Sequence, residues 1–327
     1  MTTTSWYGSL GEEGARRLAL RHLESAVAAR ARLAAGSDPE ALHDYRVALR
    51  RLRSCLRAYR RQLRSTVSRK SVRQLRRLTR GTGESRDLDV HLEWLGEQLA
   101  GAGRTEQFGI ASLMDRLAAT RSRVWDAMMQ EDAALFPPVH RRLSRQLSRF
   151  RTTVRLDADP REASTAVVTA GRIRAAAEQL KDRLHWILRG YSSETEIHRA
   201  RIAAKHLRYL LEPFAAGVPG GGAVTERLKA LQSDFGDVHD SHLFVAEIRS
   251  ALREARRAAS GGGDVVPGLL QLIAALRARG LQAFERSASV WLGDRADGFF
   301  REVDAVADAV AALAQPPAPD EKTLASS

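Results

Sequence analysis

The feature that most constrains this chain is a helix written twice. "LHDYRVALRRLR" begins at Leu42, and "IHRARIAAKHLR" begins at Ile197, 155 residues later. Aligned, they set His43 on His198, Arg46 on Arg201, Arg50 on Lys205, Leu52 on Leu207 and Arg53 on Arg208. Downstream, "LRRLTRGTGESRDLDV" from Leu75 is matched by "LKALQSDFGDVHDSHL" from Leu228, with Gly83 on Gly236 and Asp87 on Asp240. A period of this length is too long for a solenoid. Duplication of one helical bundle accounts for it, so the expected fold is all-α: two halves packed with pseudo-twofold symmetry.

Periodicity elsewhere is also helical, and no segment alternates as a half-buried strand would. In the first half helices are expected over 12–35, 39–63, 67–80, 86–100 and 105–150. In the second they are expected over 163–188, 194–214, 224–235, 238–259, 267–291 and 295–313. "GESRDLDV" and "GDVHDSHL" read as glycine turns into new helices, with Asp87 and Asp240 as caps or as arginine-orienting residues. "GVPGGG" from Gly217 and "SGGG" from Ser260 read as flexible connections, and Pro160 in "RLDADPRE" divides the halves. Residues 1–10 and 314–327 are expected to be disordered. The ordered unit is then 11–313, with repeats over 11–158 and 162–313.

At 3.6 residues per turn, offsets of 0, +3, +7 and +10 fall within an arc of about 80°. His43, Arg46, Arg50 and Arg53 therefore share one helix face, which Arg57 extends. Leu42, Tyr45, Leu49, Leu52, Leu56 and Tyr59 take a separate, core-facing sector. The second copy sets His198, Arg201, Lys205 and Arg208 against Ile197, Leu207, Leu211 and Phe214. Asp38 followed by Pro39, and Ser193 with Glu196 as a capping box, are expected to open the two helices. Both histidines then sit five positions in from their caps, near the positive end of the macrodipole, where an anion is favoured. Histidine there can donate a hydrogen bond to phosphate, more strongly once protonated. Taken singly, each would be a satisfied polar residue near a helix end; the same placement in both copies favours a ligand.

The charge has the same address. The chain carries 52 Lys+Arg against 39 Asp+Glu, a net +13, and all but five of the basic residues are arginine. Between Glu40 and Arg80 stand 14 Arg or Lys and two acids, so 14 − 2 = +12 falls in that window alone. A field this concentrated implies a polyanionic partner, and arginine's planar fork grips phosphate bidentately. Aromatic residues make up 6% of the chain, and Tyr45 and Tyr59 face coreward, so the ridges lack the stacking platforms of single-strand binders. A partner with phosphates and no bases fits better, and inorganic polyphosphate is one. Nucleic acid is the alternative.

Other chemistries find little support. There is no GxxxxGK[ST], HExxH or GxSxG motif. His239 and Asp240 form an HD pair and His239 and His242 lie i, i+3; with His43 and His198 they outline a less favoured alternative, a metal-dependent phosphohydrolase. The single cysteine, Cys55, excludes internal disulfides and cysteine-based zinc sites. The start "MTTTSWYGSL" lacks a basic n-region and an apolar h-region. No apolar run approaches the roughly 20 residues that span a bilayer, so a cytoplasmic location is expected.

"LHDYRVALRRLRSCLRAY" and "IHRARIAAKHLRYLLEPF", each followed by its "RDLDV" or "LQSDFGDVHD" segment, resemble the CHAD domain, a family named for its conserved histidines and α-helices. The resemblance runs from about Glu12 to Leu313. It implies two pseudo-symmetric four-helix bundles enclosing a basic cavity, binding of inorganic polyphosphate, often at polyphosphate granules, and no catalysis, cofactor or metal. By position, it implies a binding set of His43, Arg46, Arg50, Arg53, Arg57, His198, Arg201, Lys205 and Arg208. Helices carrying Lys70, Arg73, Arg76, Arg77 and Lys229 are expected to add to the same surface. Two departures stand out. His206 replaces the first copy's Arg51, and "RDLDV" becomes "HDSHL", so the two ends of the cavity are not expected to bind alike. Oligomeric state is left open.

Overall fold

In the computed structural model the described residues are 7–9, 11–36, 38, 40–148, 164–188, 194–257 and 265–314. Among them the regular structure is helical, with no strand: α1 (Gly11–Ala35), α2 (Ala41–Ala58), α3 (Arg69–Gly101), α4 (Arg104–Ser148), α5 (Thr165–Leu188), α6 (Glu194–Leu211), α7 (Gly221–Arg257), α8 (Val266–Trp291) and α9 (Arg295–Ala312). A short 3₁₀ turn, Ala215–Gly217, joins α6 to α7. No helix among the described residues is long and apolar enough to cross a membrane.

The sequence placed breaks after Arg80 and Phe235, and neither occurs. Both segments lie inside single long helices, α3 and α7. Among the described residues only Gly36, Gly220 and Gly293 have positive φ, so Gly83 and Gly236 keep helical backbone. A mid-helix glycine costs about 1 kcal/mol relative to alanine but does not by itself end a helix. Buried Leu78 and Leu88 in α3, and Phe235 and Val238 in α7, continue the apolar seam across the glycines. "GVPGGG" is likewise no flexible connection. Val218 is buried, Gly220 turns the chain at φ +74°, and a Cβ on Gly221 would meet the Ala215 carbonyl oxygen at 2.7 Å. "SGGG" lies outside the described residues.

The buried side chains form two clusters, and neither belongs to one half of the chain. The larger unites α1, α2, α5, α6 and α9 with the near ends of α3 and α7 and the far ends of α4 and α8. Tyr45, Tyr59, Phe214, Phe235 and Phe299 are its largest fully buried side chains. The smaller joins the far ends of α3 and α7 to the near ends of α4 and α8, through Leu95, Ile110, Phe244, Ile248 and Leu272. Glycine brings α4 and α8 into backbone contact there: a Cβ on Gly109 would lie 2.3 Å from the Val265 carbonyl oxygen, and one on Gly268 2.2 Å from that of Glu106.

Residues 7–9 correct the expectation of a disordered 1–10. Tyr7 is buried and packs on Phe214 with ring centroids 5.1 Å apart. The Tyr7 and Ser9 carbonyls accept from the amides of Ala166 and Thr165 at 3.1 and 2.8 Å. The tail from Gln315 lies outside the described residues.

Helix α2 carries its predicted core side: Leu42, Tyr45, Leu49, Leu52 and Leu56 are all buried. Its opening differs from expectation. Glu40 occupies the N-cap position with no side-chain cap bond, while the Asp38 carboxylate accepts from the Glu40 amide at 2.9 Å and pairs with Arg32. His43 is then the third residue of α2 and His198 the fifth of α6, so the equal offset from the caps is not observed. Pro39 and Ser193 lie outside the described residues.

Candidate functional site

Helices α2 and α6 touch, and the contact turns their cationic faces toward each other. Arg50 and Lys205, matched residues of the two copies, are each half-buried and have no acidic or hydrogen-bonding partner among the described residues. Burial, reinforced by Arg50, Arg201, Arg46 and Arg208, pushes the Lys205 amine from its usual range down to about 6. Arg50 is depressed first by burial, with Arg46, Arg201 and Arg53 adding to it. A guanidinium stays charged regardless, so the depression reflects burial first and, after it, the cations that both helices bring to one place.

The outer pair of arginines is held by the helices that follow. Arg46 donates from Nη1 to the Gly83 carbonyl at 3.1 Å and to Asp87 Oδ1 at 2.9 Å. Arg201 repeats the arrangement more loosely, reaching the Gln232 carbonyl at 3.4 Å and Asp240 at 3.9 Å. This accounts for one of the two glycines that the sequence presented as turns. A Cβ on Gly236 would stand 3.1 Å from Arg201 Nε, so the missing side chain lets that guanidinium lie against the helix; one on Gly83 would stand 4.0 Å from Arg46 Nη2, an ordinary contact. Asp87 and Asp240 orient arginines and cap nothing, whereas Asp89 turns away to Arg121 at 2.9 Å.

The histidines occupy unlike settings. His43 is exposed. His198 is half-buried, tilted against His239 with centroids 4.2 Å apart, and its Nδ1 is buried without a hydrogen-bond partner. Burial, then His239, Arg201 and Lys205, lower its pKa below the ordinary histidine value. Protonation of His198, which was expected to strengthen its grip, is therefore disfavoured by its surroundings. His206 is lowered too, by burial and then by Arg57 and Arg172.

At the far end of α6 the charge is compensated. Glu212 accepts from Arg208 Nη1 and from Arg51 Nε, each at 2.9 Å, bridging the two helices. At the far end of α2 it is not. A groove of about 1110 Å³ opens there, at the corner where the chain turns into α3. Arg53 and Arg57 line it from α2, Arg60, Arg61 and Arg64 from the turn, and Arg69, Arg73 and Arg76 from α3. No acid lines it. Arg53 is depressed by burial, then by Arg76 and Arg57.

Arg60, Arg61 and Arg64 sit between helices, and Arg69 opens α3, so no shared helix face selects them together. Their signal was the +12 window itself. Of the remaining expected residues, Lys70 is exposed, Arg77 pairs with Glu131 and Lys229 pairs with Glu226 at 3.5 Å. Among the described residues no group of three or more His, Cys, Asp or Glu is arranged to hold a metal ion.

Comparison with known proteins agrees with this architecture. The structure is similar to the crystal structure of the CHAD domain from the plant Ricinus communis, with a TM-score of 0.62 and 19% identity over 91% of this chain and 92% of that one. It is also similar to PptA from Streptomyces chartreusis, with a TM-score of 0.62 and 16% identity over 85% of this chain and all of the other. No curated protein matches the sequence. The family model for the CHAD domain matches residues 17–249, a span that includes both histidine helices and both arginine-anchoring glycines. This chain belongs to the CHAD domain family.

Proposed function

We propose that the protein binds inorganic polyphosphate, without catalysis, along the facing ridges of α2 and α6. In this reading the two halves are copies of one helical unit, and their ridges enclose a basic cavity for a chain of phosphates. One observation carries it: Arg50 and Lys205 face cations from both helices and have no acid between them. Partly buried like charges are costly, and an anion bound between the ridges removes that cost. Flanking Arg46 and Arg201 are held in place before the ligand arrives, which lowers the entropy lost on binding. The burial of Tyr45 and Tyr59 supports a ligand without bases, since neither ring is offered for stacking on the α2 ridge. The proposed setting is the cytoplasm, at polyphosphate granules.

The test is a competition at equal phosphate concentration. Polyphosphate is expected to displace single-stranded DNA from the protein, and DNA to leave bound polyphosphate in place. By analogy with nucleic acid, about eight phosphate contacts give a slope of log affinity against log salt near −6. Displacement by DNA, or phosphate release when a divalent metal is added, would replace this reading with one of its rivals.

A further inference from the structure

We infer that the groove at the α2–α3 corner is a second anion-binding subsite, continuous with the ridge through Arg53 and Arg57, that holds the outlying segment of a long condensed-phosphate chain. The inference rests on the polyphosphate reading and adds to it a direction and a length preference. Arg53 and Arg57 belong to both features: they extend the α2 face that meets α6, and they line the groove. A chain lying along the ridge therefore leaves it directly into the groove. Once there it meets Arg60, Arg61 and Arg64, all exposed and none bonded to an acid among the described residues.

The start of α3 makes the same point independently. Cations are disfavoured at the positive end of a helix, and acids are favoured. Helices α1 and α6 follow that rule, with Glu12 and Glu13 in one first turn and Glu194 and Glu196 in the other. Helix α3 lacks an acid in its first turn, as α5, α7 and α8 also do, but it alone of these four begins with two cations, Arg69 and Lys70. Its Ser68 cap bonds the amide and the hydroxyl of Ser71. Local stability is thus given up where the groove gains positive charge, an exchange typical of binding surfaces.

The second copy has no counterpart. Its corner is the 3₁₀ turn Ala215–Gly217 followed by Val218 and Gly220, without a basic residue. The subsite is therefore one-sided, and a long chain has one preferred direction of exit.

The test replaces Arg60, Arg61 and Arg64 together with alanine, exposed positions outside the helices, and measures binding of tripolyphosphate and of long-chain polyphosphate. Long-chain affinity is expected to fall about tenfold or more and its salt slope to shrink by about 2, as loss of three contacts requires. Tripolyphosphate affinity is expected to stay within about twofold, because a short anion is satisfied on the ridge. A control replaces the exposed Arg253, Arg256 and Arg257 at the end of α7 with alanine, for the same change in net charge. An equal loss in that control overturns the inference, and so does a groove variant that holds long chains as the parent does. If the parent itself fails to hold long-chain polyphosphate, the functional reading falls and the subsite with it.

Discussion

The first corner of this molecule, between α2 and α3, and the second, between α6 and α7, follow the same histidine–arginine motif and end in opposite electrostatics. Both follow a basic ridge and close over a buried aromatic, Tyr59 in one and Phe214 in the other. At matched positions Arg57 of α2 faces the arginine groove, while Glu212, just past the end of α6, neutralises Arg208 and Arg51. Beyond the ridge the first copy adds uncompensated arginines. The second pairs what it has: Arg227 with Glu302 at 2.6 Å, and Lys229 with Glu226. What the copies share is a packed apolar sector and an arginine that reaches a backbone carbonyl of the following helix. What they do not share is free charge, and that difference gives the proposed site an open end and a closed one.

Exchanging matched residues sharpens the comparison, and the largest effect is expected at Arg50 and Lys205. An amine with a value of about 6 is mostly neutral at neutral pH, and an anion bound beside it favours the charged form. Binding then takes up a proton, so affinity is expected to fall by up to tenfold per pH unit from about pH 6 upward, with no further gain from this group below that. Lys205→Arg, which makes the second copy like the first, removes this dependence because arginine stays charged. An unchanged pH profile in that variant would assign the dependence elsewhere. Stability has its own sign. The folded value lies below the unfolded one, so the unfolded chain binds more protons between about 6 and 10.5, and stability rises with pH across that window. Thermal unfolding of Lys205→Met is expected to lose that rise.

A smaller effect is expected at Glu212. Glu212→Gln frees Arg208 and Arg51 and moves α6 toward the character of α2. Polyphosphate affinity is expected to rise roughly threefold, by the same counterion argument. Stability is expected to fall by about 1 kcal/mol as two half-buried ion pairs are lost. Titration and thermal unfolding of the same preparation read both. A weaker-binding variant would mean that Glu212 holds Arg208 in its binding pose, and the closed-end description would be wrong.

Much of this was legible in the chain. The duplicated motif located both ridges, and helical phase separated Leu42, Tyr45 and Leu49 from Arg46 and Arg50, since period alone decides which face a residue takes. Three things were not legible. Gly83 and Gly236 look like turns because glycine permits them, and only the position of Arg201 shows Gly236 making room for a guanidinium. The corner arginines share no helix face, so no periodicity groups them; the chain reversal between α2 and α3 brings them together. The smaller core was hidden for a related reason. It joins the far ends of two helical hairpins from different halves, a contact that no local pattern encodes.

The central claim is that the two ridges form one site, and calorimetric titration with long-chain polyphosphate tests it most directly. Two variants are compared with the parent, Arg50→Ala with Arg53→Ala on α2, and Arg201→Ala with Lys205→Ala on α6. One shared site predicts that each variant keeps the parent's stoichiometry and binds about tenfold or more weakly, a loss of at least about 1.4 kcal/mol. Half the stoichiometry at the parent's affinity, in either variant, would mean two independent sites and would contradict the account.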